Sequence, residues 1–470
     1  MPARPAHIVI VGASLAGLRA AQALRTAGHQ GPLTLIGAED HPPYDRPPLS
    51  KDFLTGHTTT PGLTLEDPAA LGVSARYGSP ALHLDTAARE VHLADGTRVP
   101  YDGLVIATGA AARPWPAPTP AGVHTLRTLA DAHALKSDLT AAPRRLLIAG
   151  GGFIGCEVAS VARALDHDVT LVAPEPLPLQ AAIGPEAAAF LTRLHHDAGV
   201  DILTRTTVTA LHGDPRITHA TLTTTDTPTD TPTDTPTHAP TGTGGSRRLD
   251  ADTVLLALGA TPHTHWLEHS GLALDGGVLT DAYTRVLTTD GRPDPRIVAA
   301  GDVTRFPHPH APQLLSLGHW SNAVEQAQAA ARTLLHPGAP AAYRPVASFW
   351  STQYGVRFRA VGLPRYADHH EVRELDPATK RLDVAYYRHG RLIGALTANR
   401  AARITAYRTA LAQDLAQDLA QDLAQDLAQG RAEGRAEDTA ADLAGNPAKD
   451  NADGSAATTA RPAPGTSRAA

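Results

Sequence analysis

One local pattern occurs twice in this chain: an apolar run, a glycine-rich turn, then a helix rich in Ala, Leu and Val. The first copy is HIVIVGASLAGLRAAQALRTAG (7–28) and the second is RRLLIAGGGFIGCEVASVARAL (144–165). Glycines between a strand and a helix let the backbone approach a pyrophosphate, and the helix N-terminus stabilises its charge. A single copy is weak evidence, because such turns also serve packing alone. Two copies imply two dinucleotides, and the usual pair that reacts together is a flavin and a nicotinamide. The expected fold class is α/β, with two Rossmann-like dinucleotide-binding domains, a C-terminal α+β domain and a disordered tail.

The 470 residues leave room for two or three domains. A formal net charge of −6 gives no support to nucleic-acid binding. No apolar stretch approaches the roughly 20 residues that span a bilayer. The N-terminus runs almost directly into the first strand, which leaves no room for a signal peptide. A cytoplasmic protein with no nucleic-acid or membrane partner is expected. Cys156 is the one cysteine, so disulfide chemistry is excluded and electrons must leave a flavin without a thiol relay. Its place just inside the second helix reads as buried packing. No metal site is expected.

Along the chain, the first unit reads as a strand over 8–11, a helix over about 14–26 ending near Gly28, and a strand over 33–36. Glu39 follows the glycines at about the 20-residue distance of an acid that binds a ribose hydroxyl; a solvated loop carboxylate is the plainer reading. HPPYDRPPLSK (41–51) is a proline-stiffened loop that presents Arg46 and Lys51 on a rigid platform. YDGLVIATG (101–109), ADTVLLALG (251–259) and RIVAAGD (296–302) read as buried strands ending at a ligand-binding sheet edge. The expected segments are 1–113 and 250–330 for the FAD domain, 114–249 for an inserted NAD(P)H domain, and 331–410 for the C-terminal domain. A disordered Thr/Pro/Asp insertion is expected over 221–246, and a low-complexity tail over 411–470. The tail opens on LAQD tetrads, whose four-residue period drifts around a helix and whose Asp residues repel at i+4. A frayed surface helix is the expectation there. Residues 341–410 hold 12 Lys and Arg against 5 Asp and Glu, a net of +7. This reads either as surface scatter or as a docking face for an acidic protein.

Taken in order, VGASLAG, PPYDRPPLSKDFL, VIATGAAARP, LRTLADAHAL, GGGFIGCEVA, AAGDVTRF, GHWSNAVEQAQ and FWSTQYGVRFRAVG resemble the FAD-containing NADH:ferredoxin reductases of oxygenase systems, the putidaredoxin-reductase type. The resemblance implies Gly12, Ser14, Ala16 and Gly17 at the FAD pyrophosphate and Glu39 at the adenosine ribose. Arg46 and Lys51 would approach the flavin. Ala81, Thr108, Gly109, Arg127 and Gly301 would complete the FAD contacts, with Asp302 at the ribityl or phosphate region by a helix N-terminus and Trp320 near the isoalloxazine. Gly150, Gly152, Ile154, Gly155, Glu157 and Gly259 would bind NADH. Relatives carry an acid at the place of Ala173, where Glu175 could substitute; NADPH is the less favoured nucleotide. They also commonly place Glu where Gly318 stands. Lys51 and Glu157 are the candidate pair beside the flavin, or a buried bridge between domains, and Trp350 lies on the docking side. The implied partner is an acidic iron–sulfur ferredoxin, feeding a cytochrome P450 or ring-hydroxylating oxygenase. The alternatives are reduction of a small acceptor or rubredoxin, and a redox-sensing flavoprotein of the apoptosis-inducing-factor type.

Overall fold

The computed structural model describes residues 5–224 and 245–428, with side chains to 421. Strand Ile8–Val11 is buried at every position and runs parallel between Leu33–Ile36 and Gly103–Ile106. An apolar run without alternation suits a strand covered on both faces. Val73–Arg76, Pro293–Ala299 and Arg285–Leu287 complete a six-stranded sheet. One face is covered by helices Leu15–Thr26 and Trp320–Leu335, which meet through Ala16, Ala20, Ala323 and Ala327. The other face carries a small antiparallel sheet, Ala81–Asp85, Glu90–Leu93 and Arg98–Pro100.

The second fingerprint builds the same layers again. Arg145–Ala149 lies parallel between Asp168–Val172 and Thr253–Leu256, with Asp201–Leu203 and Val123–His124 outside them. Helices Leu129–Ala141, Phe153–Ala164 and Pro185–Asp197 cover one face, and an antiparallel three-stranded sheet the other.

Two expected boundaries move here. Thr253–Leu256 is hydrogen-bonded into the second sheet, so that domain continues past 249. A fully buried parallel strand carries no mark of which sheet receives it. The chain crosses between the domains on a two-stranded ribbon, Ala110–Ala112 against Ala260–Pro262. The insertion is also shorter than 221–246, because His219–Thr224 pairs in register with Ser246–Asp250. The Thr-rich start of the repeat serves as strand; residues 225–244 lie outside the described residues.

The C-terminal domain is a five-stranded antiparallel sheet in the order Ser348–Gln353, Val356–Gly362, Arg391–Ala398, Arg381–Arg388, His369–Asp376. Side chains alternate across it. Phe358, Ala360, Leu382, Val384 and Leu396 face the body of the protein, while Val361, Ala385 and Ala395 face helix Ala401–Ala428. Neither expected end of this domain stands. Helix Trp320–Leu335 belongs to the first domain's core, so that segment runs past 330. The last helix continues through 410, and its Leu411 and Leu415 are buried. Repulsion between Asp414 and Asp418 is offset by Arg391, which bonds both at 2.7 Å, and by His310, which reaches Asp418 at 3.1 Å. The first LAQD tetrads are therefore packed structure; 429–470 lie outside the described residues.

Candidate active site

The two glycine turns are superposable in their constraints. Gly12 and Gly150 have φ of +120° and +118°, and a Cβ on either would strike the carbonyl that ends the neighbouring strand, Ala107 or Ala257. A Cβ on Gly17 would stand 1.9 Å from the Gly12 carbonyl, and one on Gly155 2.1 Å from that of Gly150. Gly17 and Gly155 thus let the helix close onto its own turn and Gly150 lets the turn close onto the neighbouring strand; the three, expected at the dinucleotides, line neither cavity.

Two cavities meet over these turns. The outer one, about 870 Å³, is lined by Gly12, Ser14, Glu39, Ala81, Thr108 and Thr128 among others. The inner one, about 400 Å³, is lined by Ala16, Lys51, Glu157, Gly301, Trp320 and Trp350 among others. They share Ser14, Arg46, Ala107, Gly109, Ala112 and Arg127, so the hollow is continuous. Its waist carries two guanidinium groups and the N-terminus of helix Leu15–Thr26. Arg46 donates to Ser14 Oγ (3.3 Å), to the Arg127 carbonyl (2.7 Å) and to Glu39 Oε1 (2.5 Å). Arg127 donates to Asp302 Oδ2 at 2.6 Å. Two guanidinium groups, each oriented by a carboxylate, beside a helix N-terminus where the two cavities join suit a diphosphate. The residues present therefore fit FAD: those of the outer cavity, Glu39 among them, would hold its nucleoside end and those of the inner cavity its ring end. Arg46, expected on the flavin side, lines both cavities.

The inner cavity is walled by all three domains. Gly152, Ile154, Glu157 and Gly259 come from the second dinucleotide unit, so both fingerprints open on one space. Lys51 Nζ lies 2.6 Å from Glu157 Oε2, which also accepts from Ser50 Oγ at 2.5 Å. Ser351 Oγ donates to Glu157 Oε1 at 2.7 Å. Trp320 Nε1 donates to Asp45 Oδ1 at 2.9 Å, and burial pushes that carboxyl above its ordinary range. Its ring meets Trp350 edge-on at 5.9 Å, and Trp350 is 44% exposed. His319, at the N-cap of helix Trp320–Leu335, is pushed down to about 4 by burial and is neutral at working pH. Asp302 lies beside this N-terminus and lines the inner cavity.

The comparisons agree with this geometry. Residues 6–332 match the family model described as pyridine nucleotide-disulphide oxidoreductase, and 348–429 match the reductase C-terminal model. The chain belongs to the pyridine nucleotide-disulphide oxidoreductase family. It is 34% identical over 372 residues to rhodocoxin reductase of Rhodococcus erythropolis, covering 78% of this chain and 80% of that one. It is 35% identical over 360 residues to the anthranilate 1,2-dioxygenase system ferredoxin–NAD(+) reductase component of Burkholderia cepacia, covering 76% and 81%. The solved covalent putidaredoxin reductase–putidaredoxin complex matches with a TM-score of 0.75 at 31% identity, over 86% of this chain and 92% of that one.

This member of the family keeps no thiol at the site. Cys156 is fully buried against the Gly151 carbonyl, and burial raises its pKa further from ionisation. Glu175 is half-buried and lines neither cavity; its carbonyl accepts from the Arg205 amide. Sequence reasoning missed Tyr44, Asp45, Ser50, His319 and Ser351. Tyr44 donates to Glu39 Oε2 at 2.7 Å and accepts from the Leu129 amide, which orients the acid expected at the ribose. The signal for Ser351 was present in strand periodicity: Phe349, Ser351 and Gln353 share one face.

Among the described residues no helix is long and apolar enough to cross a membrane.

Proposed function

We propose that this protein is a cytoplasmic ferredoxin–NAD(+) reductase, taking a hydride from NADH and passing single electrons to an acidic ferredoxin that serves an oxygenase. One observation carries the reading: both dinucleotide turns open on the same cavity, and that cavity reaches solvent beside Trp350. Bound FAD supplies the conversion of a two-electron donor into one-electron steps. The chain's residues do the rest. Arg46, Arg127 and the Gly12–Leu15 turn hold the diphosphate. The Lys51 ammonium, fixed by Glu157, faces the ring end and favours negative charge there. Gly152, Ile154 and Gly259 leave space for the nicotinamide nucleotide against the opposite wall.

For the partner, the basic excess of the C-terminal domain narrows on inspection. Arg373, Arg391, Arg400, Arg403 and Arg408 sit in ion pairs. Arg357, Arg359 and Arg365 are in none among the described residues. Arg359 lies directly across from Trp350 in the strand pair, and Arg357 across from Thr352. An aromatic edge flanked by uncompensated Arg suits an acidic iron–sulfur protein. The test is stopped-flow mixing of the FAD-loaded protein with NADH, then with oxidised [2Fe–2S] ferredoxin. Rapid bleaching of the flavin followed by ferredoxin reduction supports the reading. Bleaching without ferredoxin reduction, but with turnover of a quinone or rubredoxin, overturns the partner and keeps the enzyme.

A further inference from the structure

We infer that Ser351 and Gln353 are positioning residues for the Lys51–Glu157 pair, the last links of a buried hydrogen-bond run whose donors all point at the Glu157 carboxylate. The inference rests on the reading of the inner cavity given above.

The run starts at Tyr354, in the two-residue turn Tyr354–Gly355 that joins Ser348–Gln353 to Val356–Gly362. Both turn residues have positive φ, +51° and +73°, which matches the twist of a tight hairpin. The turn is pinned to the second domain by the Tyr354 amide, which donates to Ser160 Oγ at 2.9 Å. Tyr354 OH lies 2.7 Å from His195 Nδ1. The other ring nitrogen, His195 Nε2, and the Gln353 Oε1 atom are both buried and have no other hydrogen-bond partner among the described residues, and Gln353 is the side chain that bonds the His195 ring. Gln353 Nε2 donates to Ser351 Oγ at 3.0 Å, and Ser351 Oγ donates to Glu157 Oε1 at 2.7 Å.

Proton counting fixes the direction. Ser351 has one hydroxyl proton and gives it to a carboxylate, so it must accept from Gln353. The Gln353 amide then turns its oxygen to His195, which must carry its proton on Nε2. That leaves Nδ1 as acceptor, and Tyr354 OH as donor. Each atom's role is determined by its neighbour. Burial keeps the imidazole neutral, as the scheme requires, by pushing His195 down to about 4. His195, Gln353 and Ser351 are almost wholly buried. Buried networks in which every role is set specify one arrangement.

The consequence falls on Lys51. Glu157 Oε2 takes Lys51 and Ser50; Oε1 takes Ser351. With Oε1 held by a pre-oriented donor, the carboxylate cannot rotate and the ammonium stays at the cavity wall. Replacing Gln353 by Glu substitutes an acceptor for the donor, so the Ser351 proton turns away and Oε1 is released.

The experiment uses the FAD-loaded full chain with Gln353→Glu, and reads the equilibrium midpoint potential of bound flavin, the rate of reduction by NADH and the Kd for NAD+. We expect the potential to fall by about 30 mV, a tenfold change for a two-electron couple, the hydride-transfer rate to fall about tenfold, and the Kd to move less than twofold. Should Gln353→Glu fail to retain FAD, Ser351→Ala removes one oxygen with little change of volume. It is expected to move potential and rate in the same direction, with Ser351→Thr restoring both. Wild-type potential and rate in Ser351→Ala, whatever its melting temperature, would overturn the inference and leave the run as domain packing. A wild-type protein whose flavin is not reduced by NADH at all would instead overturn the functional reading beneath it.

Discussion

Truncation after residue 410 tests the packing of the LAQD helix. The deletion removes Leu411 and Leu415, exposed by 2% and 6%, from the C-terminal sheet. Burying a leucine side chain contributes about 1.5–3 kcal/mol. It also strips Arg391 and His310 of Asp414 and Asp418. Arg391 is 41% exposed, so solvent screening limits that contribution to about 1 kcal/mol at most. The sum is about 3–7 kcal/mol, against a whole-domain stability of roughly 5–15 kcal/mol. At about 2 °C per kcal/mol, the first thermal transition should fall by about 10 °C. The assay is far-UV circular dichroism on three proteins: full length, 1–428 and 1–410. The 1–428 protein should melt with the full chain, and Leu411→Ala alone should account for about 2–3 kcal/mol of the loss. A 1–410 protein that melts within a degree of full length would refute the assignment of these tetrads to the core.

Other outcomes are expected. Arg46→Ala removes a guanidinium from the waist; a charge-assisted contact of about 1.5–3 kcal/mol corresponds to a ten- to hundredfold weaker FAD Kd, read by fluorescence of released flavin. Gly155→Ala forces a Cβ onto the Gly150 carbonyl, so the purified protein should remain yellow while reduction by NADH is lost; a variant reduced at the normal rate would contradict the packing role. Arg357→Glu and Arg359→Glu should raise KM for ferredoxin several-fold at low salt, with the difference closing as screening shortens to roughly 3 Å at 1 M. Asp252 is depressed to about 2 by its hydrogen bonds from Arg145, so that pair stabilises fully above the ordinary carboxylate range and is lost as pH falls through about 2. Arg145→Met should therefore melt lower than wild type at pH 6, with the difference closing as pH falls through about 2.

Much of the site was legible because its chemistry is local. A strand, a glycine turn and a helix are contiguous in sequence, so Ser14, Ala16, Gly152 and Ile154 could be placed before any packing was known. Lys51 and Glu157 were paired through family resemblance, and the structure brings them to 2.6 Å. The misplaced boundary and the tail share one cause, the choice of long-range neighbour. Thr253–Leu256 looks like any central strand, and only its partner decides its domain. Asp414 and Asp418 repel by local rules, and Arg391, remote in sequence, reverses the sign. Gly17 and Gly155 were read as ligand contacts because the same fingerprint encodes both ligand approach and helix–strand contact.

The crossing between the two dinucleotide domains has a mechanical meaning. Ala110–Ala112 and Ala260–Pro262 are hydrogen-bonded side by side, so the chain enters and leaves the inserted domain through one ribbon. Such a ribbon twists more readily than it stretches, and the glycines at its root, Gly109 and Gly259, have positive φ and line the inner cavity. The two chain crossings into the nucleotide-binding domain are thus joined at the wall of the inner cavity, so a strain on the ribbon is felt first where that cavity is lined.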